Sequence, residues 1–153
     1  MVKKNMKYVS TRNNSKEYNF EQVFIKGLAD DGGLYVPTSL KKYSPQELQE
    51  LKKLSYNELS TEIINLFSSD FISKEELSTL IKKSYSTFRE KEVVKLSNVG
   101  EINLLELFHG PTLAFKDVAM QFIGNLYEYY LTKNNKKINI VVATSGDTGA
   151  AAI

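Results

Sequence analysis

The stretch Leu104-Leu105-Glu106-Leu107-Phe108-His109-Gly110-Pro111-Thr112-Leu113-Ala114-Phe115-Lys116-Asp117-Val118 decides how the chain is read. An apolar, strand-like run (Leu104, Leu105, Leu107, Phe108) breaks at His109-Gly110-Pro111, and an apolar segment resumes after Thr112. From Phe115 onward, Val118, Ala119, Phe122, Leu126 and Tyr129 recur at helical spacing, which predicts Lys116 in the first turn of a helix. The partial positive charge of a helix N-terminus disfavours a cation there. With apolar neighbours it favours the neutral amine, the form that attacks carbonyls, so Lys116 is the candidate nucleophile. Taken alone, a lysine near a helix start is more often a solvated surface residue.

A second stretch changes that balance. Ile138-Asn139-Ile140-Val141-Val142-Ala143 reads as a buried strand. It runs into the loop Thr144-Ser145-Gly146-Asp147-Thr148-Gly149 and then into the helix start Ala150-Ala151-Ala152-Ile153. A strand, a small polar glycine loop and a helix form an anion cradle of backbone N–H groups and hydroxyls. The two stretches together predict a lysine facing an anion-binding loop inside one βαβ unit.

The 153 residues suffice for one ordinary domain or two small ones. A 42% hydrophobic and 25% charged composition is that of a globular protein rather than a disordered one. The net charge of +2 is too small to argue for nucleic acid, and no apolar run approaches the ~20 residues that span a bilayer. Met1 to Lys7 carries no apolar signal core, so the expected location is cytoplasmic. Cysteine is absent and histidine occurs once, which argues against disulfides, thiolate chemistry and a zinc site. Ile153 falls a few residues into a helix too short to stand alone, so the chain is expected to be the N-terminal piece of a longer enzyme.

In chain order, Lys7 to Thr11 reads as a short strand, and Asn19 caps a helix whose apolar face is Phe20, Val23, Phe24, Gly27 and Leu28. Asp30-Asp31-Gly32-Gly33 stops it, and Leu34-Tyr35-Val36 is a strand halted by Pro37. Capping boxes at Ser44–Glu47, Ser55–Glu58 and Ser73–Glu76 open three more helices. Their apolar stripes are Leu48 and Leu51; Leu59, Ile63, Leu66 and Phe67; and Leu77, Leu80, Ile81, Tyr85 and Phe88. Charge clusters around Phe88 to Glu92, and strand character follows. The expected domains are 1–92, small and mostly helical, and 93–153.

HGPTLAFKDVA followed by ATSGDTGAA resembles threonine synthase, a pyridoxal-phosphate enzyme family of the tryptophan-synthase β-like fold. Tyr8-Val9-Ser10-Thr11-Arg12 and Asp30-Asp31-Gly32-Gly33-Leu34-Tyr35-Val36-Pro37 resemble that family's N-terminal domain, and the likeness runs from about Met6 to Ile153. It implies an α/β fold in which residues 1–92 precede the incomplete start of a parallel-sheet domain binding pyridoxal 5′-phosphate. It implies conversion of O-phospho-L-homoserine and water to L-threonine and phosphate, with Lys116 in imine linkage to the cofactor and moving protons. Thr144, Ser145, Asp147 and Thr148 match the loop that meets the substrate carboxylate beside the cofactor's 3′-oxygen. Where the wider fold often has asparagine, Asp147 donates to that oxygen only if protonated; otherwise it caps the helix or orders the loop. His109 is expected beside the cofactor in a positional role. Thr112 presents its hydroxyl inward, Asp117 is a structural cap, and Arg12 makes a domain contact ahead of a substrate contact.

Three other readings stand beside this one. A threonine-synthase-like phospho-lyase would use the same lysine and loop. A mononucleotide-binding module would use Ile138 to Gly149 but lacks the Gly-Lys-Ser/Thr ending of a phosphate loop. A non-catalytic interaction domain would use the helical segment. The ordinary structural reading of the Thr144–Thr148 loop is a Ser/Asp cap of a helix.

Overall fold

A computed structural model describes residues 5–152. The chain divides into two compact units, one of residues 1–54 and 58–78, the other of residues 55–57 and 79–153.

In the first unit, β1 (Tyr8–Ser10) pairs antiparallel with β2 (Tyr35–Pro37), Val9 opposite Val36. Between them lies α1 (Phe20–Lys26), opened by a reciprocal cap. Asn19 Oδ1 accepts from Gln22 N–H at 2.9 Å, and Gln22 Oε1 accepts from Asn19 N–H at 2.9 Å. Ser44 and Glu47 repeat this pattern at α2 (Pro45–Leu51), with proline at N1 where its missing N–H costs nothing. Ser73 and Glu76 repeat it at α4 (Lys74–Tyr85), which follows α3 (Tyr56–Ser68). Phe20 anchors the core: its ring lies 5.8 Å from Phe24, 5.5 Å from Phe71 and 6.3 Å from Tyr8. The Tyr8 hydroxyl donates to the Phe67 carbonyl at 2.8 Å, and burial raises its pKa.

The turn before β2 is clasped from β1. Asp31 Oδ1 accepts from the Ser10 hydroxyl at 2.7 Å and from Gly33 N–H at 2.9 Å, and these bonds lower the Asp31 pKa. Arg12 donates to the Asp31 carbonyl at 3.0 Å, so part of its guanidinium is committed inside this unit. A side chain at Gly33 would come within 2.2 Å of Ser10 Oγ, so only glycine fits.

In the second unit, β3 (Lys95–Val99) and β4 (Ile102–Glu106) form an antiparallel hairpin closed by Gly100-Glu101. Gly100 has φ +61, as a glycine-first two-residue turn requires. The core gathers Ile81, Tyr85, Phe88, Val93, Leu126 and Tyr130, all buried. The Tyr85 ring meets Tyr56 at 5.2 Å and Phe88 at 5.3 Å, and its hydroxyl donates to the Val118 carbonyl at 2.9 Å. Desolvation raises its pKa. That bond ties the C-terminal part of α4, which from residue 79 belongs to this second unit, to α5 (Asp117–Lys133).

Several expectations fail here for physical reasons. Residues 138–143 do not form a buried strand: they pair with no neighbour among the described residues, and Val141 is 93% exposed. A strand takes its backbone partners from adjacent strands, and the hairpin β3–β4 satisfies only itself. All strand pairing among the described residues is antiparallel, so no parallel sheet and no βαβ unit form there. The strand-like run does form a strand as far as Glu106, but Leu104 and Leu105 are 45% and 59% exposed, because a two-stranded hairpin cannot cover its own faces, and Phe108 beyond it is 52% exposed. Leu28 and Leu48 are likewise exposed, and α5 buries Leu126 and Tyr130 while Phe115 and Ala119 face out.

Candidate functional site

The second unit carries the residues singled out in the sequence, in two groups. The first is the turn from His109 to Asp117. Asp117, the first residue of α5, is fully buried. Its Oδ2 accepts from Thr112 N–H and its Oδ1 from the Thr112 hydroxyl, each at 2.8 Å. Gly110 lies against this carboxylate, and a Cβ there would sit 2.4 Å from Asp117 Oδ2. Asp117 is therefore more than a helix-end charge: it closes the turn. Since a hydroxyl has one hydrogen, Thr112 keeps only acceptor capacity for a ligand.

Lys116 is at the N-cap position, one residue outside the predicted first turn. Its carbonyl accepts from Ala119 and Met120 N–H. Its side chain is half-buried, with Nζ 4.4 Å from the centroid of the Phe115 ring. Among the described residues no carboxylate pairs with this amine. Leu113 takes φ +64 in the same turn, a left-handed conformation that a branched side chain rarely adopts.

His109 is held from two sides. Its carbonyl accepts from Arg89 N–H at 2.9 Å, and its Nε2 lies 2.8 Å from Glu106 Oε2. Glu106 Oε1 in turn accepts from the Ser97 hydroxyl at 2.6 Å. The Ser97 and His109 hydrogen bonds, in that order, lower the Glu106 pKa. Sequence reasoning missed Glu106 and Ser97. The Glu-x-x-His spacing was visible, whereas Ser97 is brought in only by hairpin register.

The second group is the loop before α6 (Asp147–Ala152). Thr144 Oγ1 accepts from Gly146 N–H at 3.2 Å and Gly149 N–H at 3.0 Å. The cap is thus Thr144, not Asp147, whose exposed carboxylate makes no hydrogen bond among the described residues. The Thr144 hydroxyl keeps its own hydrogen to donate. Ser145 is exposed and Thr148 half-buried. Helices α5 and α6 are in contact, but no hydrogen bond or ion pair links the turn 109–117 to residues 144–149 among the described residues.

The donor set suits a carbonyl-bearing, anionic cofactor: an amine free of carboxylate, with hydroxyls and backbone N–H groups on a helix in contact with its own. Comparison with known proteins gives a consistent picture. A family model described as threonine synthase N terminus matches residues 7–85. Threonine synthase of Schizosaccharomyces pombe is 44% identical over 95% of this chain and 30% of its own length. Threonine synthase-like 2 of Pongo abelii is 44% identical over 97% of this chain and 31% of its own. The crystal structure of threonine synthase with bound pyridoxal phosphate from Brucella melitensis superposes with a TM-score of 0.91 at 40% identity, over 97% of this chain and 32% of that one. The chain thus spans about a third of the length of the relatives it matches.

Proposed function

Because this chain belongs to the threonine synthase family, as the match over residues 7–85 establishes, we propose that it forms the N-terminal part of a pyridoxal-phosphate-dependent threonine synthase. Residues 1–92 are the family's N-terminal domain and 93–153 the start of the parallel-sheet cofactor domain, whose remaining strands would give residues 138–143 their neighbours. The reaction is conversion of O-phospho-L-homoserine and water to L-threonine and phosphate, a carbon–oxygen lyase chemistry in the cytoplasm. The single observation that carries this reading is the Lys116 amine, paired with no carboxylate among the described residues, beside a turn locked by Asp117.

When bound, the cofactor supplies an electron sink for charge left at carbon when a proton is removed. Lys116 would hold it through its amine and would take and return protons at the substrate carbons. His109 and Asp147 would flank it. Thr144, Ser145 and Thr148 receive the substrate carboxylate, Thr144 with the one hydrogen its cap leaves over. Thr112 offers a lone pair to a substrate donor. The 153 residues alone hold the cofactor weakly and turn over nothing.

The test is incubation with pyridoxal phosphate, borohydride reduction and peptide mapping of the full-length enzyme, together with a product assay. Reductive labelling at Lys116 and threonine formation are expected; labelling elsewhere defeats the lysine assignment. Similarity to threonine synthase-like 2, 44% identical, carries a second reading, in which the chain belongs to a threonine-synthase-like phospho-lyase that releases phosphate without forming threonine. Product analysis separates the two.

A further inference from the structure

Register places Lys95 opposite Glu106 and Ser97 opposite Leu104, so Ser97 and Glu106 are diagonal neighbours on one face of the hairpin. From there Glu106 bridges Ser97 and His109, with the His109 and Glu106 side chains only 12% and 19% exposed. The depressed Glu106 pKa, to which Lys95 also contributes, keeps the carboxylate ionised and therefore acceptor-only. Its partner Nε2 must then carry hydrogen. The ring also packs against Phe108, centroids 4.7 Å apart, and its backbone is pinned by Arg89 N–H. Nδ1 has no partner among the described residues. Gly110, next in sequence to His109, packs against Asp117, next in sequence to Lys116.

We infer that Ser97 and Glu106 are positioning residues that fix the His109 imidazole in its Nε2–H form, leaving Nδ1 as a lone-pair acceptor. A carboxylate behind an imidazole selects the tautomer. The ligand group this atom takes is a hydrogen-bond donor, such as a protonated phosphate or an ammonium. That last point rests on the function proposed above; the tautomer does not.

His109 is the only histidine, so one set of imidazole signals reports it in the full 153-residue chain. In long-range proton–nitrogen NMR at a pH where the ring is neutral, the Nε2–H form should exceed the other at least about tenfold, the effect of one charge-assisted hydrogen bond. An Nδ1–H or evenly mixed spectrum in the folded chain overturns the inference. Glu106→Gln, whose amide can donate or accept, should bring the ratio near that of the urea-unfolded chain; an unchanged ratio removes Glu106 from the role. Ser97→Ala should lower it severalfold, and decides the matter if the glutamine variant does not fold. Loss of labelling at Lys116 with the Nε2–H form intact defeats the proposed function and not this one.

Discussion

Asp117 grips Thr112 twice, through backbone N–H and hydroxyl, at 2.8 Å each. Removing that fully buried carboxylate strands two donors of the part-buried Thr112. Asp117→Ala is expected to cost about 3 kcal/mol by denaturant unfolding. Gly110→Ala should cost about 2 kcal/mol by overpacking, because the new methyl would overlap the same carboxylate. The two losses should not add, since both act on one contact.

Lys116 behaves oppositely. Its amine contributes a ring contact and no hydrogen bond among the described residues, and its place at the start of α5 opposes the helix dipole. Lys116→Ala in this chain should leave unfolding stability within about 0.5 kcal/mol of the parent. In the full-length enzyme the same change should abolish turnover. A stability loss as large as that of Asp117→Ala would mark Lys116 as structural.

Leu113 at φ +64 sets up a third comparison. Its side chain is 51% exposed, so little packing offsets the left-handed backbone. Leu113→Gly should raise stability by about 0.5 kcal/mol, while Leu113→Val should lower it by about 1 kcal/mol. Thermal unfolding of the two variants checks the sign.

Acid should loosen the chain in a defined window. Asp31 and Glu106 have lowered pKa values, and backbone N–H and Lys41 contacts lower that of Glu47 to about 2. The unfolded chain therefore binds protons at higher pH than the folded one, so these groups contribute fully above the ordinary values of 3.8 for Asp and 4.5 for Glu. Their contribution is lost as pH falls through the depressed values. Tm should be flat down to about pH 5 and fall below it; Glu47→Gln should flatten that fall.

The local elements were legible because their signals are local. Asn19, Ser44 and Ser73 each announce a helix start within four residues, and the structure places a cap at each. Lys116 landed within one residue of its predicted place for the same reason. What could not be read depends on distant partners. Residues 138–143 have the composition of a strand, but strand formation is a property of a neighbour they do not find among the described residues. The Asp117 carboxylate looked like a helix-end charge, and only the fold-back of Thr112 makes it a clamp. Ser97 gave no signal at all, since its link to Glu106 comes from hairpin register.

The hairpin β3–β4 has a practical consequence. Leu96, Val99, Ile102, Leu104 and Leu105 are all 45% or more exposed, on a two-stranded ribbon whose outer edges have no strand partner among the described residues. Such a ribbon is adhesive, and its edges template further strands. Refolding of this chain therefore competes with a second-order loss, and recovered yield should fall as protein concentration rises.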